Sequence, residues 1–214
     1  MLMGLQDQWN TCSKTVILEY YPSAFAHSRD TMVVGLGLDV VLLDVVTGSR
    51  TSVLCDHSNA VATALALSLD GTLLFSGNSK DTFKLWDIQT GGVICALNNI
   101  PHVQAVSISP DTSTIALGTD DGTIGLWDVW TGKCRFIKNA HRAFVTAIAF
   151  SPINSQHLVS SLDDGTVEQW DVDGHQVGAS HHGEDKVLDI AYASDGMCFI
   201  SCMEKVATIR GGGG

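Results

Sequence analysis

The stretch Thr82-Phe83-Lys84-Leu85-Trp86-Asp87-Ile88-Gln89-Thr90-Gly91 returns in altered form as Ile124-Gly125-Leu126-Trp127-Asp128-Val129-Trp130-Thr131-Gly132. A further copy, Val167-Glu168-Gln169-Trp170-Asp171, lacks the Thr-Gly, and a degenerate first copy reads Val41-Leu42-Leu43-Asp44 with Thr47-Gly48 behind it. Trp86 and Trp127 are 41 residues apart, Trp127 and Trp170 are 43 apart, and Leu43 stands 43 before Trp86. Upstream lies a second marker: Ser68-Leu69-Asp70-Gly71, Ser109-Pro110-Asp111 and Ser151-Pro152-Ile153-Asn154, its Ser 18 or 19 residues before the Trp. Markers recurring in one order at one period define an internal repeat, and the repeat has to be read before anything else.

Between the markers lie short runs that are apolar or β-branched, or that alternate apolar with small polar residues: Val61 to Ser68, Leu73 to Ser76, Thr82 to Asp87 and Val93 to Leu97. Such runs, bounded by Gly, Asp and Ser, predict half-buried strands joined by hairpins. Four strands in a period of about 42 residues is the arithmetic of a propeller blade. No segment offers ten or more residues of helical periodicity, so α/β architectures are disfavoured.

Composition narrows the function. The 214 residues carry 12 Lys and Arg against 23 Asp and Glu, a net charge of −11. This speaks against electrostatic binding of nucleic acid, which needs clustered cations to displace counterions. No apolar run reaches the roughly 18 to 20 residues of a membrane-spanning helix: Met32 to Val46 is broken by Asp39 and Asp44. Met1 to Asn10 shows no secretory pattern, so a cytoplasmic setting is expected. Six cysteines, Cys12, Cys55, Cys95, Cys134, Cys198 and Cys202, lack paired spacing and are read as small buried hydrophobes. Cys198 and Cys202 share a strand face, but further zinc ligands at matching spacing are missing.

Through these copies the chain resembles the WD-repeat (WD40, β-transducin-like) family from about Val16 to Arg210. The resemblance implies an all-β propeller of four-stranded antiparallel blades: about four blades and a truncated fifth, an open or incomplete propeller. The expected blades are 14–54, 55–97, 98–137, 138–180 and a partial 181–210, after an N-terminal extension over 1–13 and before a Gly tail over 211–214. Val187 to Tyr192, Ser194-Asp195-Gly196 and Met197 to Cys202 begin the last unit normally, but Gly211 to Gly214 stand where its Trp-Asp is due. Glycine has no side chain to pack and the most entropy to lose, so the blade is expected to stop short and leave a sheet edge for self-association.

In this family a blade is often locked by a His before the first strand, a Ser or Thr on the second, an Asp in the next turn, and the Trp. Buried indole and imidazole nitrogens need partners, and the carboxylate fixes the His. His141, Ser160, Asp164 and Trp170 match fully. His57, Ser76 and Trp86 match in part, with Lys80 at the turn position. Asp121 and Trp127 match too, but Leu117 replaces the Ser. These residues are read as blade cement and not as a catalytic triad, and Asp164→Ala is expected to cost more stability than Asp121→Ala. Gly35-Leu36-Gly37 is read as a hairpin turn, because a phosphate-cradling loop needs a following helix. His181-His182 with Glu184 and Asp185 is read as a solvated loop and not a metal site.

The family implies a rigid platform for protein partners, without catalysis and without cofactors. By register, Ala60, His102, Phe144 and Lys186 stand at the rim where each innermost strand begins. Phe144 with Arg142, His102 and Lys186 is the candidate partner site, since aromatic and Arg side chains dominate interfaces, and Trp130 on the opposite rim is a second patch. An alternative is a sensor module of a larger signalling or immune-receptor-type nucleotide triphosphatase, although no nucleotide motif is present. A channel-mouth hydrolase would need convergent carboxylates, His or a nucleophile, and the rim positions offer none.

Overall fold

The computed structural model describes residues 22–54, 60–78, 82–98, 100, 102–137, 141, 143–181, 185–203 and 207–211. Among them the regular structure is entirely β. Blade one holds β1 (Pro22–His27), β2 (Thr31–Leu36), β3 (Asp39–Asp44) and β4 (Arg50–Leu54). Blade two holds β5 (Ala62–Leu67), β6 (Leu73–Asn78), β7 (Thr82–Asp87) and β8 (Val93–Asn98). Blade three holds β9 (Val103–Ile108), β10 (Thr114–Thr119), β11 (Ile124–Asp128) and β12 (Cys134–Ile137). Blade four holds β13 (Val145–Phe150), β14 (His157–Leu162), β15 (Thr166–Asp171) and β16 (Gln176–His181). Blade five holds β17 (Val187–Tyr192), β18 (Cys198–Met203) and β19 (Ala207–Gly211), with no fourth strand among the described residues.

Each sheet is a meander in sequence order with antiparallel neighbours. The repeated turns make this the local solution: in blade two Ser68 Oγ donates to Asp70 Oδ1 at 2.6 Å, and Thr72 N donates to the same oxygen at 3.0 Å. The carboxylate thus satisfies the turn's own donors, and the chain reverses without burying an unpaired group. Gly35-Leu36-Gly37 likewise lies in a hairpin, with Leu36 opposite Asp39 and Gly37 at φ +62°.

Every innermost strand is bulged near its start, between Pro22 and Ala24, Ala62 and Ala64, Val145 and Ala147, and Val187 and Asp189, and in blade three opposite Gly118 and Thr119. A bulge raises local twist, which turns the inner strands of all five blades into one ring around a central channel. Ser23, Thr63, Gln104, Thr146 and Leu188, one residue from each blade, line the same cavity of about 420 Å³.

The core lies between blades. Phe75, Phe83 and Leu85 of blade two pack with Ile115, Leu117 and Trp127 of blade three, and Phe75 and Phe83 stack with centroids 5.5 Å apart. Further clusters join blade one to two through Leu42 and Trp86, three to four through Ile124 and Trp170, and four to five through Val159 and Phe199. Gly118 shows how close the blades come: a Cβ there would meet Val145 Cγ1 of the next blade at 2.3 Å. The innermost strands pack in succession, β1 on β5, β5 on β9, β9 on β13 and β13 on β17. No comparable packing joins β17 to β1 among the described residues.

The cysteines correct one expectation. Cys95 and Cys134 are half-buried at the edge of a core cluster, Cys198 is half-buried and Cys202 is exposed. Cys95 and Cys134 sit on outermost strands, which face solvent on one side. Cys12 and Cys55 lie outside the described residues.

Candidate interaction rims and the blade lock

Trp170 Nε1 donates to Ser160 Oγ at 2.9 Å, and Ser160 Oγ lies 2.9 Å from His141 Nε2. The indole can only donate, so Ser160 accepts there and has its own hydrogen to give His141 Nε2. That assignment leaves the ring proton on Nδ1. The edge-on packing of His141 and Trp170, centroids 5.3 Å apart, completes the cluster. Burial drives the His141 imidazole down from its ordinary 6.5 to about 4, although the charge of Asp164 opposes this.

The carboxylate beside His141 Nδ1 is Glu168, whose Oε2 is 3.3 Å away without making a hydrogen bond. Asp164, expected there from the sequence, is exposed and accepts from Thr166 N at 3.0 Å within its own turn. Burial first, and then the charge of Asp164, push Glu168 above the ordinary carboxylate range. The sequence signal for Glu168 was its place: it pairs with Ser160 across the β14–β15 ladder. The corresponding residue is Lys84 opposite Ser76 and Gly125 opposite Leu117.

Blade two keeps the inner half of the arrangement, with Trp86 Nε1 donating to Ser76 Oγ at 2.7 Å and Lys84 Nζ 5.6 Å from the Trp86 ring centroid. His57, Lys80 and Asp81 lie outside the described residues. In blade three Leu117 occupies the hydroxyl position, and the buried Trp127 Nε1 has no hydrogen-bond partner among the described residues. Asp121 does not reach Trp127. It accepts from Thr119 Oγ1 at 2.5 Å and Thr123 N at 3.0 Å, and the Thr119 hydroxyl holds its carboxyl below the usual range although burial opposes this. Among the described residues Asp121 therefore has more hydrogen-bond donors than Asp164.

On the rim where the innermost strands begin, Phe144 is 55% exposed. Its N–H donates to Asp163 Oδ1 at 3.0 Å, and its carbonyl accepts from Asp163 N at 3.1 Å. Both backbone groups are satisfied by the neighbouring hairpin, so the ring stands out from a fixed base. His102 holds the matching place in blade three, its carbonyl accepting from Asp120 N at 3.1 Å, and it is exposed, as is Lys186. Ala60 is buried, so blade two has no side chain to offer here. Arg142 lies outside the described residues, as do His182 and Glu184. Trp130 is 77% exposed in the turn from β11 to β12, on the opposite rim.

Within the channel, Asp189 is the one carboxylate lining the two cavities among the described residues, and its Oδ1 accepts from Ile190 N at 2.8 Å. Among the described residues no three His, Cys, Asp or Glu side chains converge on a metal position.

Consecutive four-stranded meanders around a channel, with Trp-Asp ending the third strand in three of them, define a WD-repeat β-propeller. The family model for the nucleolar protein 10-like N-terminal domain matches residues 18–209, and the chain belongs to that family. It is 31% identical over 201 residues to periodic tryptophan protein 2 of Arabidopsis thaliana, covering 88% of this chain and 22% of that protein. To the ribosome biogenesis protein WDR12 homolog of Chlamydomonas reinhardtii it is 30% identical over 126 residues, covering 56% of this chain and 28% of that one. To autophagy-related protein 16 of Arabidopsis thaliana it is 28% identical over 100 residues, covering 46% and 20%. The chain thus spans less than a third of the length of these relatives.

Proposed function

We propose that the chain is a non-catalytic platform that holds protein partners of a nucleolar, ribosome-forming assembly against the rim loops of its propeller. The observation that carries the reading is Phe144, more than half exposed on a backbone pinned from both sides by Asp163. A large apolar side chain held in water by a rigid base has little entropy left to lose on binding, which is the character of an interface anchor. His102 and Lys186 flank it on the neighbouring blades, and Arg142 is assigned to the same site. Trp130 serves a second contact on the far rim.

The setting is supported by the family's description as nucleolar and by the printed name of the Chlamydomonas relative, and it is proposed in preference to the cytoplasmic setting expected from the sequence. Self-association is a second route to partners, favoured by β19, beyond which the described residues hold no strand; light scattering on the purified chain measures it.

The test is affinity purification of the tagged full chain beside Phe144→Ala, with microscopy of both in the cell. We expect nucleolar signal for both, and a several-fold loss of co-purifying proteins for the variant. Full retention of partners by Phe144→Ala refutes the anchor, and exclusion of the chain from the nucleolus refutes the setting.

A further inference from the structure

The channel changes character along its length. Where the innermost strands begin, it is lined by Ser23, Thr63, Gln104, Thr146 and Leu188. Where they end, a second cavity of about 420 Å³ is lined mainly by apolar side chains, among them Leu67, Leu69, Ile108 and Phe150, with His27, Ser107 and Asp189 as its polar members. Phe25, 70% exposed, projects into both parts. This apolar mouth opens on the rim opposite Phe144.

Leu69, Pro110 and Pro152, from the turns of blades two, three and four, line the mouth together, and contacts link the turns of blades one and two, three and four, and four and five. The Cβ position of Gly71 lies 3.1 Å from Ser28 Oγ of the first blade's turn. Asp111 N donates to Ser155 Oγ of the next blade's turn at 3.3 Å, and the Cβ position of Gly196 lies 2.4 Å from Ile153 Cγ1. On this collar of turns Leu69, Ile153 and Met197 are each 66% exposed. The turn hydrogen bonds need Ser and Asp, not these apolar side chains. Exposed apolar side chains in the turns around a largely apolar cavity signal contact with a partner.

The charge of the collar says what kind of partner. Asp30, Asp70, Asp111 and Asp195 stand in the same turns, with Arg29 as the one cation there among the described residues. Asp44, Asp87, Asp128 and Asp171 stand on the same rim further out, at the ends of the third strands, with Lys133 beside Asp128 and His175 Nδ1 3.0 Å from Asp171 Oδ2. The Ser68 hydroxyl and the Thr72 donors hold Asp70 below the usual carboxylate range, so it stays ionised. Phosphates would be repelled here, whereas Lys and Arg would be attracted.

We infer that the apolar mouth at the ends of β5, β9 and β13 binds an extended basic peptide segment of a partner, one large apolar side chain entering the channel and flanking Lys or Arg meeting the collar carboxylates. The cavity is of the size that takes compact ligands, about 300–1,000 Å³. This extends the platform reading to a second face and does not depend on Phe144.

The experiment is fluorescence anisotropy on the full chain with a labelled short synthetic peptide carrying a central Leu between Lys-rich flanks. Two control peptides replace Lys by Glu or Leu by Ser, and a labelled single-stranded RNA is the third probe. The Lys/Leu peptide should bind, weaken as salt rises, and lose roughly tenfold in affinity, about 1.4 kcal/mol, on Leu69→Ser or Ile153→Ser. Both side chains are exposed, so the two variants should melt with the parent. Phe144→Ala should bind the peptide unchanged, which separates failure here from failure of the rim anchor. Absence of binding, equal binding of the Glu peptide, tighter binding of the RNA, or insensitivity to both collar variants each overturns the inference.

Discussion

Ser160→Ala is the sharpest probe of what holds a blade rigid. The Ser160 hydroxyl is fully buried, accepts from Trp170 Nε1 at 2.9 Å and faces His141 Nε2 at 2.9 Å. Alanine removes one oxygen and leaves a cavity too small to matter, so the cost lies in the two nitrogens left behind. A buried polar group stripped of its partner costs about 1–3 kcal/mol, and two of them give about 2–6 kcal/mol. For a domain of this size each kcal/mol moves the melting point by about 2–4 °C, so a drop of roughly 4–24 °C is expected. Urea unfolding followed by Trp fluorescence measures the loss directly, with Ser160→Thr as the control that keeps a hydroxyl in place. A loss under about 0.5 kcal/mol, within the scatter of unremarkable surface changes, or an equal loss for Ser160→Thr, would refute the reasoning.

Other expectations follow from the same geometry. Asp121→Ala should cost more stability than Asp164→Ala by thermal melt, because Asp121 accepts from Thr119 Oγ1 and Thr123 N while Asp164 accepts from Thr166 N alone. Gly122→Ala should be strongly destabilising, by about 2 kcal/mol or more, since Gly122 has φ +80° and its Cβ would lie 2.6 Å from the His141 carbonyl oxygen. Gly132→Ala, at φ +68° with open space around it, should cost less in the same urea titration. His141 stays neutral in the folded chain well below its ordinary 6.5, so on acidification the unfolded chain takes up the proton first. Its stabilising contribution is therefore intact above pH 6.5 and is lost as the pH falls toward 4, with a slope of at most about 1.4 kcal/mol per pH unit. Urea titrations across that range should show this slope in the parent chain and a flatter one in His141→Gln.

The strands and their order were legible because their causes are local. Ser68, Asp70 and Thr72 satisfy one another within five residues, and the same chemistry recurs at Ser109, Asp111 and Ser113. The orphaned indole of Trp127 could also be anticipated, because Leu117 brings no hydroxyl to the place that Ser76 and Ser160 hold. For the carboxylate beside His141 the family register points to Asp164 in the turn, whose side chain accepts from the Thr166 amide, whereas the carboxylate 3.3 Å from the imidazole is Glu168, placed by cross-strand pairing.

The rims divide in the same way. Phe144 was visible as an aromatic just before an innermost strand. The apolar mouth on the far side was not, because Leu69, Ile153 and Met197 lie in three different repeats, and only the packing of successive blades brings their turns onto one rim. By itself the sequence determined the repeat, the hairpins and the blade type, since hydrogen-bonding turns and strand alternation act over a few residues. Only the tertiary structure decided which blades pack, which nitrogen goes without a partner and where the channel turns apolar, because these depend on side chains some forty residues apart brought within a few ångströms.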